Sequence, residues 1–176
     1  MVSTNFYEVA MPPSKQEKQD SEDEFTFLTF KLDLIKTDMI SRADAAYVAL
    51  CGLDVRKLRV LRIICVEPGV TASSVSRQSL IEKTLLSKLL AELIQRKLVR
   101  RTVHPDDARH FQLWPTPAGL RVRDQAHELG RKLEDEMLSP LLTRDERKTL
   151  GHLVDKLMRM FVKDAARDRL AAKRTC

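Results

Sequence analysis

Apolar side chains recur at Leu28, Leu32, Ile35, Met39, Ala43 and Ala46, at steps of three or four. That spacing lays one apolar stripe along an amphipathic helix over about residues 25–47, and Cys51-Gly52 ends it. A second helix is predicted over 55–66, with Leu58, Leu61 and Cys65 on one face and Glu67-Pro68-Gly69 as its stop. Thr71 suits the N-cap of a short third helix over 72–78. A fourth, over 82–96, buries Leu86, Leu90, Leu93 and Ile94 and turns Lys83, Thr84, Ser87 and Lys88 the other way.

After residue 97 the period changes. Residues 98–103 and 111–114 are β-branched or aromatic-containing runs on either side of the polar, partly basic segment 104–110, which reads as a β-hairpin. Thr116-Pro117 then supplies an N-cap followed by proline at the first helical position. The helix it opens carries Val122, Ala126, Leu129, Leu133 and Met137 and closes at Ser139-Pro140. Thr143 and Glu146 form a capping box for a last helix bearing Leu150, Leu153, Val154, Leu157, Met160 and Phe161. The expected fold class is mainly α with a small β-hairpin.

Composition changes this picture in three ways. The 176 residues include only 5 Gly and 7 Pro with 32% charged, which favours helix over sheet. The formal net charge is +6, which permits polyanion binding without demanding it. The charge is also unevenly spread. Residues 1–24 hold six acidic side chains against Lys15 and Lys18, whereas residues 71–110 hold eight cations against four anions. The first segment is expected to be a flexible acidic tail with Phe6, Tyr7 and Val9 as its apolar exception. The segment after Asp164 is expected to be a frayed basic tail.

Several classes of function are disfavoured. No apolar run approaches the roughly 18 residues that cross a bilayer, and no signal-peptide core follows Met1, so a cytoplasmic location with no membrane partner is expected. Cys51, Cys65 and Cys176 match no metal motif, nor do His104, His110, His127 and His152. With no recognisable catalytic pair or phosphate loop, neither an enzyme nor a cofactor is expected.

A short helix, a longer helix and an immediate hairpin make a winged helix-turn-helix. The major groove of duplex DNA, about 12 Å wide, admits one helix. The second helix of the pair enters it, and the hairpin tip reaches the neighbouring backbone or minor groove. The basic stretch 71–110 coincides with those elements.

The same residues carry a family resemblance. The stretch from Val70-Thr71-Ala72-Ser73-Ser74-Val75 to Leu98-Val99, the wing residues Asp107-Ala108-Arg109 and the helix start Thr116-Pro117-Ala118-Gly119 resemble the MarR (multiple antibiotic resistance regulator) family of transcriptional regulators. The resemblance implies a homodimer held by the first and last two helices, a double-stranded DNA operator as partner, and a small-ligand pocket between the dimer region and each DNA-binding lobe. It divides the chain into a tail (1–24), an N-terminal dimerisation helix (25–52), a winged helix-turn-helix domain (53–116), C-terminal dimerisation helices (117–164) and a basic tail (165–176).

Ser73, Ser74, Arg77, Lys83, Thr84, Ser87, Lys88, Arg101, Asp107 and Arg109 are then the DNA-contact candidates, Asp107 by orienting Arg109. Lysine suits phosphate or guanine, and the hydroxyls suit phosphate or base edges. Arg42 and Arg59 interrupt otherwise apolar helices, and Ser41 adds a hydroxyl. The three are ligand-pocket candidates for a phenolic or heteroaromatic carboxylate, with salt bridges within the dimer as the competing role for the arginines. The expected function is a repressor released from a pseudo-palindromic operator by a small aromatic acid. The alternatives are a cysteine-based redox-sensing repressor acting through Cys51 and a winged-helix protein-interaction module. Two departures bear on geometry: Leu80 and Lys97 stand where the family usually has glycine. Ala108 replaces a common wing arginine, and Trp114-Pro115 is unusual at a strand end.

Overall fold

A computed structural model describes residues 27–103 and 111–172, with residues 160–172 as backbone alone. Helix α1 spans Leu28–Cys51 and α2 Val55–Val66. Strand β1 (Val70–Thr71) and helices α3 (Ala72–Ser79) and α4 (Lys83–Gln95) follow. Then come β2 (Val99–Val103), β3 (Phe111–Pro115), α5 (Pro117–Leu138) and α6 (Arg144–Ala172). None of these helices is long and apolar enough to cross a membrane.

The chain divides into two compact units between Arg42 and Ala43, within α1. In the first, Phe27, Leu28, Leu32, Leu34 and Ile35 are exposed, and Lys36–Asp33 and Arg42–Asp38 pair along the helix.

The second unit carries the core. Leu53, Leu58, Leu61, Ile64, Val75, Leu86, Leu93 and Val99 are its most deeply buried apolar side chains, joined by Tyr47, Val70, Leu113 and Ala126. Helix α1 ends where Gly52 takes φ +67 and its N–H bonds the carbonyl of Val48 at 2.8 Å, the left-handed stop that glycine adopts without strain. Asp54 caps α2 by accepting from the Lys57 N–H at 2.8 Å, and Asp44 accepts from the Val55 N–H at 2.7 Å.

The expected hairpin is part of a three-stranded antiparallel sheet in the order β1-β3-β2. Val70 faces Leu113 and Thr71 faces Gln112 on one side of β3, while Val99 to Val103 pair with Pro115 to Phe111 on the other. Thr71 is both the end of β1 and the N-cap of α3, accepting from the Ser74 N–H at 3.3 Å. Pro115 is tolerated at the end of the central strand because β1 runs only as far as Leu113.

The glycine start of α5 is fixed by contact. Thr116 Oγ1 accepts from the Gly119 N–H at 3.0 Å and donates to the Lys97 carbonyl at 2.7 Å. The Thr116 N–H donates to the Leu98 carbonyl at 3.0 Å. A Cβ on Gly119 would lie 2.1 Å from that same carbonyl oxygen, so the helix packs on the strand entry only with no side chain there.

Leu80 and Lys97 both have φ 57. The backbone keeps the left-handed geometry that glycine serves elsewhere, at a cost of about 1–2 kcal/mol for an L-residue. Serine hydroxyls hold the first turn: Ser76 Oγ donates to the Ile81 carbonyl at 2.7 Å, and the Ile81 N–H donates to the buried Ser79 Oγ at 3.3 Å. Leu80 itself is 91% exposed and contributes no core contact. Leu80→Gly and Lys97→Gly should therefore each stabilise the chain by roughly 0.5–1 kcal/mol after the unfolded-state entropy of glycine is set against the relieved strain. Thermal unfolding of each variant checks this. A lowered midpoint would mean the left-handed turn costs nothing.

At the far end, α6 runs to Ala172, beyond Asp164, where a frayed tail was expected. Ala165, Ala166, Leu170 and Ala171 are strong helix formers with no glycine or proline between them.

Candidate nucleic-acid interface

Helix α4 is two-faced. Leu86, Leu89, Leu90 and Leu93 are buried, while Lys83, Thr84, Ser87 and Lys88 are exposed. Offsets of one, four and five residues place these four on one surface of the first two turns. Ser87 Oγ donates to the Lys83 carbonyl at 2.9 Å. The first turn carries no acidic residue, although the exposed Glu82 stands at the N-cap without a side-chain cap bond, so Lys83 and Lys88 are the cations of this surface beside one carboxylate.

Helix α3 sets the preceding edge. Ser73 is exposed, with its hydroxyl 3.1 Å from Thr71 Oγ1. Ser74 is half-buried, and its hydroxyl accepts from Gln78 Nε2 at 3.1 Å. Gln78 is itself held by Glu67 at 2.8 Å. Ser74 is thus partly committed within the lobe. Arg77 is exposed in the last turn of α3.

In the sheet both Arg100 and Arg101 are exposed. Arg100 lies 5.4 Å from the Trp114 ring centroid and Arg101 4.9 Å from that of Phe111. Stacking of this kind orients a guanidinium while leaving its N–H edges available. Trp114 is fixed in turn by its Nε1–H, which donates to Thr102 Oγ1 at 3.0 Å. Asp107 and Arg109 lie outside the described residues.

One cation of the basic segment is used elsewhere. Arg96 donates from Nη1 to the Gly52 carbonyl and from Nη2 to the Cys51 carbonyl, both at 2.6 Å. It caps the C-terminus of α1. Beside it, Lys57 pairs with Glu92 at 2.9 Å and Asp54 at 3.4 Å. The hydrogen bond to Glu92 is the main cause holding the Lys57 ammonium above its ordinary value, against the opposing effect of burial.

The expected ligand residues Ser41, Arg42 and Arg59 are divided between the two units. Ser41 and Arg42 are exposed in the first unit, where Arg42 Nε lies 2.7 Å from Asp38. Arg59 belongs to the second unit and donates to the Ser79 carbonyl at 3.4 Å. A concave site lies instead at Tyr47, Arg62, His127, Gly130, Arg131 and Glu134, with a volume of about 240 Å³. Arg62 Nη2 donates to the Ala126 carbonyl at 3.2 Å and approaches Tyr47 Oη at 3.4 Å. Its buried Nε has no hydrogen-bond partner among the described residues. A Cβ on Gly130 would sit 2.5 Å from Tyr47 Oη, so the glycine leaves room for the phenol. Arg62 breaks the apolar run of α2 just as Arg59 does, and that was the available sequence signal.

Cys51 is half-buried and donates to the Tyr47 carbonyl at 3.2 Å, and burial pushes the Cys65 thiol up. Among the described residues no group of three or more His, Cys, Asp or Glu could hold a metal ion.

Known proteins share this arrangement. A family model described as MarR family matches residues 52–110. The transcriptional regulator HosA of Escherichia coli O111:H- is 30% identical over 99 residues, which is 56% of this chain and 73% of the relative. Among solved structures, wild-type MarR from E. coli in its apo form superposes with TM-score 0.67 at 23% identity, over 74% of this chain and 96% of that one. A mutant E. coli MarR complexed with operator DNA gives 0.67 at 22% identity, over 77% and 96%. A Mycobacterium tuberculosis MarR family protein in complex with salicylic acid gives 0.64 at 18%, over 75% and 96%. With its winged helix-turn-helix and this extent of matching sequence, the chain belongs to the MarR family of transcriptional regulators, which are not enzymes.

Proposed function

We propose that the protein is a repressor that binds a pseudo-palindromic operator as a homodimer and leaves it when a small aromatic carboxylate binds. The observation that carries this reading is the exposed surface Lys83, Thr84, Ser87 and Lys88 on a helix whose opposite face is locked into the core. In this reading α4 enters the major groove, where Lys83 and Lys88 meet phosphate or guanine and Thr84 and Ser87 meet phosphate or base edges. Ser73 and Arg77 face the flanking backbone, and Ser74 supports them from within the lobe. Arg101 serves the adjacent backbone together with Arg100, which is equally exposed. Arg109, oriented by Asp107, reaches the next groove from the wing. The operator complex of the E. coli relative supports a duplex partner.

The dimer is supported by apolar surface that has no cover among the described residues. Leu150, Leu153, Val154, Leu157 and Met158 of α6 are exposed at helical spacing, as are Phe27, Leu28, Leu32 and Ile35 at the start of α1. Stripes of this length need a partner to leave water, and a second copy placed about a two-fold axis matches two half-sites about one helical turn apart.

The effector is assigned to the cleft at Tyr47 and Arg62 rather than to Ser41, Arg42 and Arg59. Its volume of about 240 Å³ suits one aromatic ring, and Arg62 and Arg131 are the cations that would meet a carboxylate, Arg131 exchanging its 2.7 Å pairing with Glu128 for it and Glu134 lining the same cleft. The salicylic acid complex of the mycobacterial relative supports that ligand class. Release requires that the acid bind better to the arrangement of lobes that does not fit the operator. Titrating hydroxybenzoates into a preformed protein–duplex complex tests this. The wild-type chain should dissociate, with apparent affinity falling about tenfold or more at saturating ligand. Arg131→Ala should keep its affinity for DNA and lose most of that response. Failure of every aromatic carboxylate tried to change affinity would remove the effector assignment while leaving DNA binding intact.

A further inference from the structure

The last turn of α4 is tied to the corner between α1 and α2 by two separate polar contacts. Arg96 bonds the carbonyls of Cys51 and Gly52, both at 2.6 Å. One turn earlier, Glu92 pairs with Lys57 at 2.9 Å. Lys57 is only 19% exposed in its side chain and also lies 3.4 Å from Asp54, the cap of α2. The corner is itself stiff: Asp44 of α1 accepts from the Val55 N–H at 2.7 Å, and Leu53 is fully buried beneath it. A Cβ at Gly52 would lie 3.0 Å from Arg96 Nη2, so the guanidinium would have to give by a few tenths of an ångström.

A guanidinium bridging two carbonyls at a helix C-terminus satisfies groups that would otherwise lack partners. The planar fork also fixes direction, which an ammonium does not. The two contacts lie one turn apart on α4, so together they resist rotation of that helix about its own axis as well as swing of its end. The helix held in this way is the one that carries Lys83, Thr84, Ser87 and Lys88. The corner it is held to terminates α1, the helix assigned to the dimer.

We infer that Arg96, seconded by Glu92 and Lys57, is a positioning residue that fixes the angle of the recognition helix to the dimerisation helix and so sets the half-site spacing the protein accepts. This rests on the proposed reading of the chain as a dimer on duplex DNA. With the clamp intact the lobes are preorganised. Correct spacing binds without an ordering cost, and wrong spacing is refused. With the clamp cut each lobe gains freedom, so the best site loses affinity and altered sites are tolerated.

The test uses the full-length chain and the duplex that the wild-type protein enriches from a random-sequence pool. One base pair is inserted at the centre of that duplex, which turns one half-site by about 35° relative to the other. Affinity for both duplexes is measured over a salt series for wild type, Arg96→Met and Arg96→Lys. Wild type should lose about thirtyfold on insertion. Both variants should bind the parent duplex about tenfold more weakly and lose less than about threefold on insertion. Their salt slope should match wild type, because Arg96 neutralises no phosphate. Glu92→Gln, a milder cut to the other tie, should shift discrimination the same way by less. It serves as the test if the Arg96 variants do not fold.

Wild-type discrimination retained in every folded variant overturns the inference. So does a salt slope reduced by about two, one for each protomer, which marks a direct phosphate contact. A wild-type chain that selects no duplex overturns the DNA reading itself, and the clamp with it.

Discussion

Replacing Gly119 by alanine should destabilise the protein by about 3 kcal/mol or more, a larger loss than from any other single methyl group argued above. The added Cβ would lie 2.1 Å from the Leu98 carbonyl oxygen and 3.1 Å from its carbon. The obstacle is backbone, so no rotamer change relieves it. If α5 moves away, the Thr116 bonds to Lys97 and Leu98 stretch and the N-cap at the Gly119 N–H goes with them. If the strand entry moves instead, the buried Leu98 and Val99 shift out of the core. The Thr-Pro-x-Gly sequence is thus a joint in which threonine caps the helix and grips the strand, proline pre-sets the first turn, and glycine permits the contact. Denaturant unfolding reads the loss, with a thermal midpoint lower by about 6–12 °C for a chain of this size. A change below about 1 kcal/mol would show that α5 does not sit this close to Leu98.

The double variant Lys83→Ala, Lys88→Ala should fold normally and lose about a hundredfold in affinity for its duplex at roughly 0.1 M salt. Both side chains are exposed on α4. Their removal should therefore leave stability within about 0.5 kcal/mol. Each lysine that neutralises a phosphate contributes about one to the slope of log affinity against log salt. With two lysines removed from each of two protomers, the double variant should accordingly show a slope smaller by up to nearly four. Thr84→Ala and Ser87→Ala should act differently, relaxing sequence preference with little effect on the slope. Wild-type affinity in the lysine variant would place the DNA surface on another face of the lobe.

Helix periodicity carried most of the architecture. The stripes through Leu86, Leu90 and Leu93, and through Val122 and Ala126, identify elements because a repeat of three or four residues survives any tertiary context. Strand β1 has only Val70 and Thr71, too few for alternation to register, so the sheet was read one strand short. Side-chain partners distant in sequence were equally hidden. Arg96 looks like one more surface cation of a basic segment until the fold brings Cys51 and Gly52 beside it. Arg59 and Arg62 give the same signal, a charge within an apolar helix, and differ only in which turn of α2 meets Tyr47 and α5. Leu80 and Lys97 show the opposite case. Their side chains argue against a left-handed turn, yet the surrounding bonds impose it on both. The lesson in physical terms is that local period survives in the chain as written, while turn strain and polar clamps depend on what folding brings near.

The most direct measurement is the binding of wild-type protein to its selected duplex across a salt series, with the mass of the complex determined by sedimentation. Two chains should occupy one duplex, and log affinity should fall linearly with log salt with a slope of roughly four or steeper, from two sets of phosphate contacts. A single chain on the duplex, or an affinity indifferent to salt, would contradict the account.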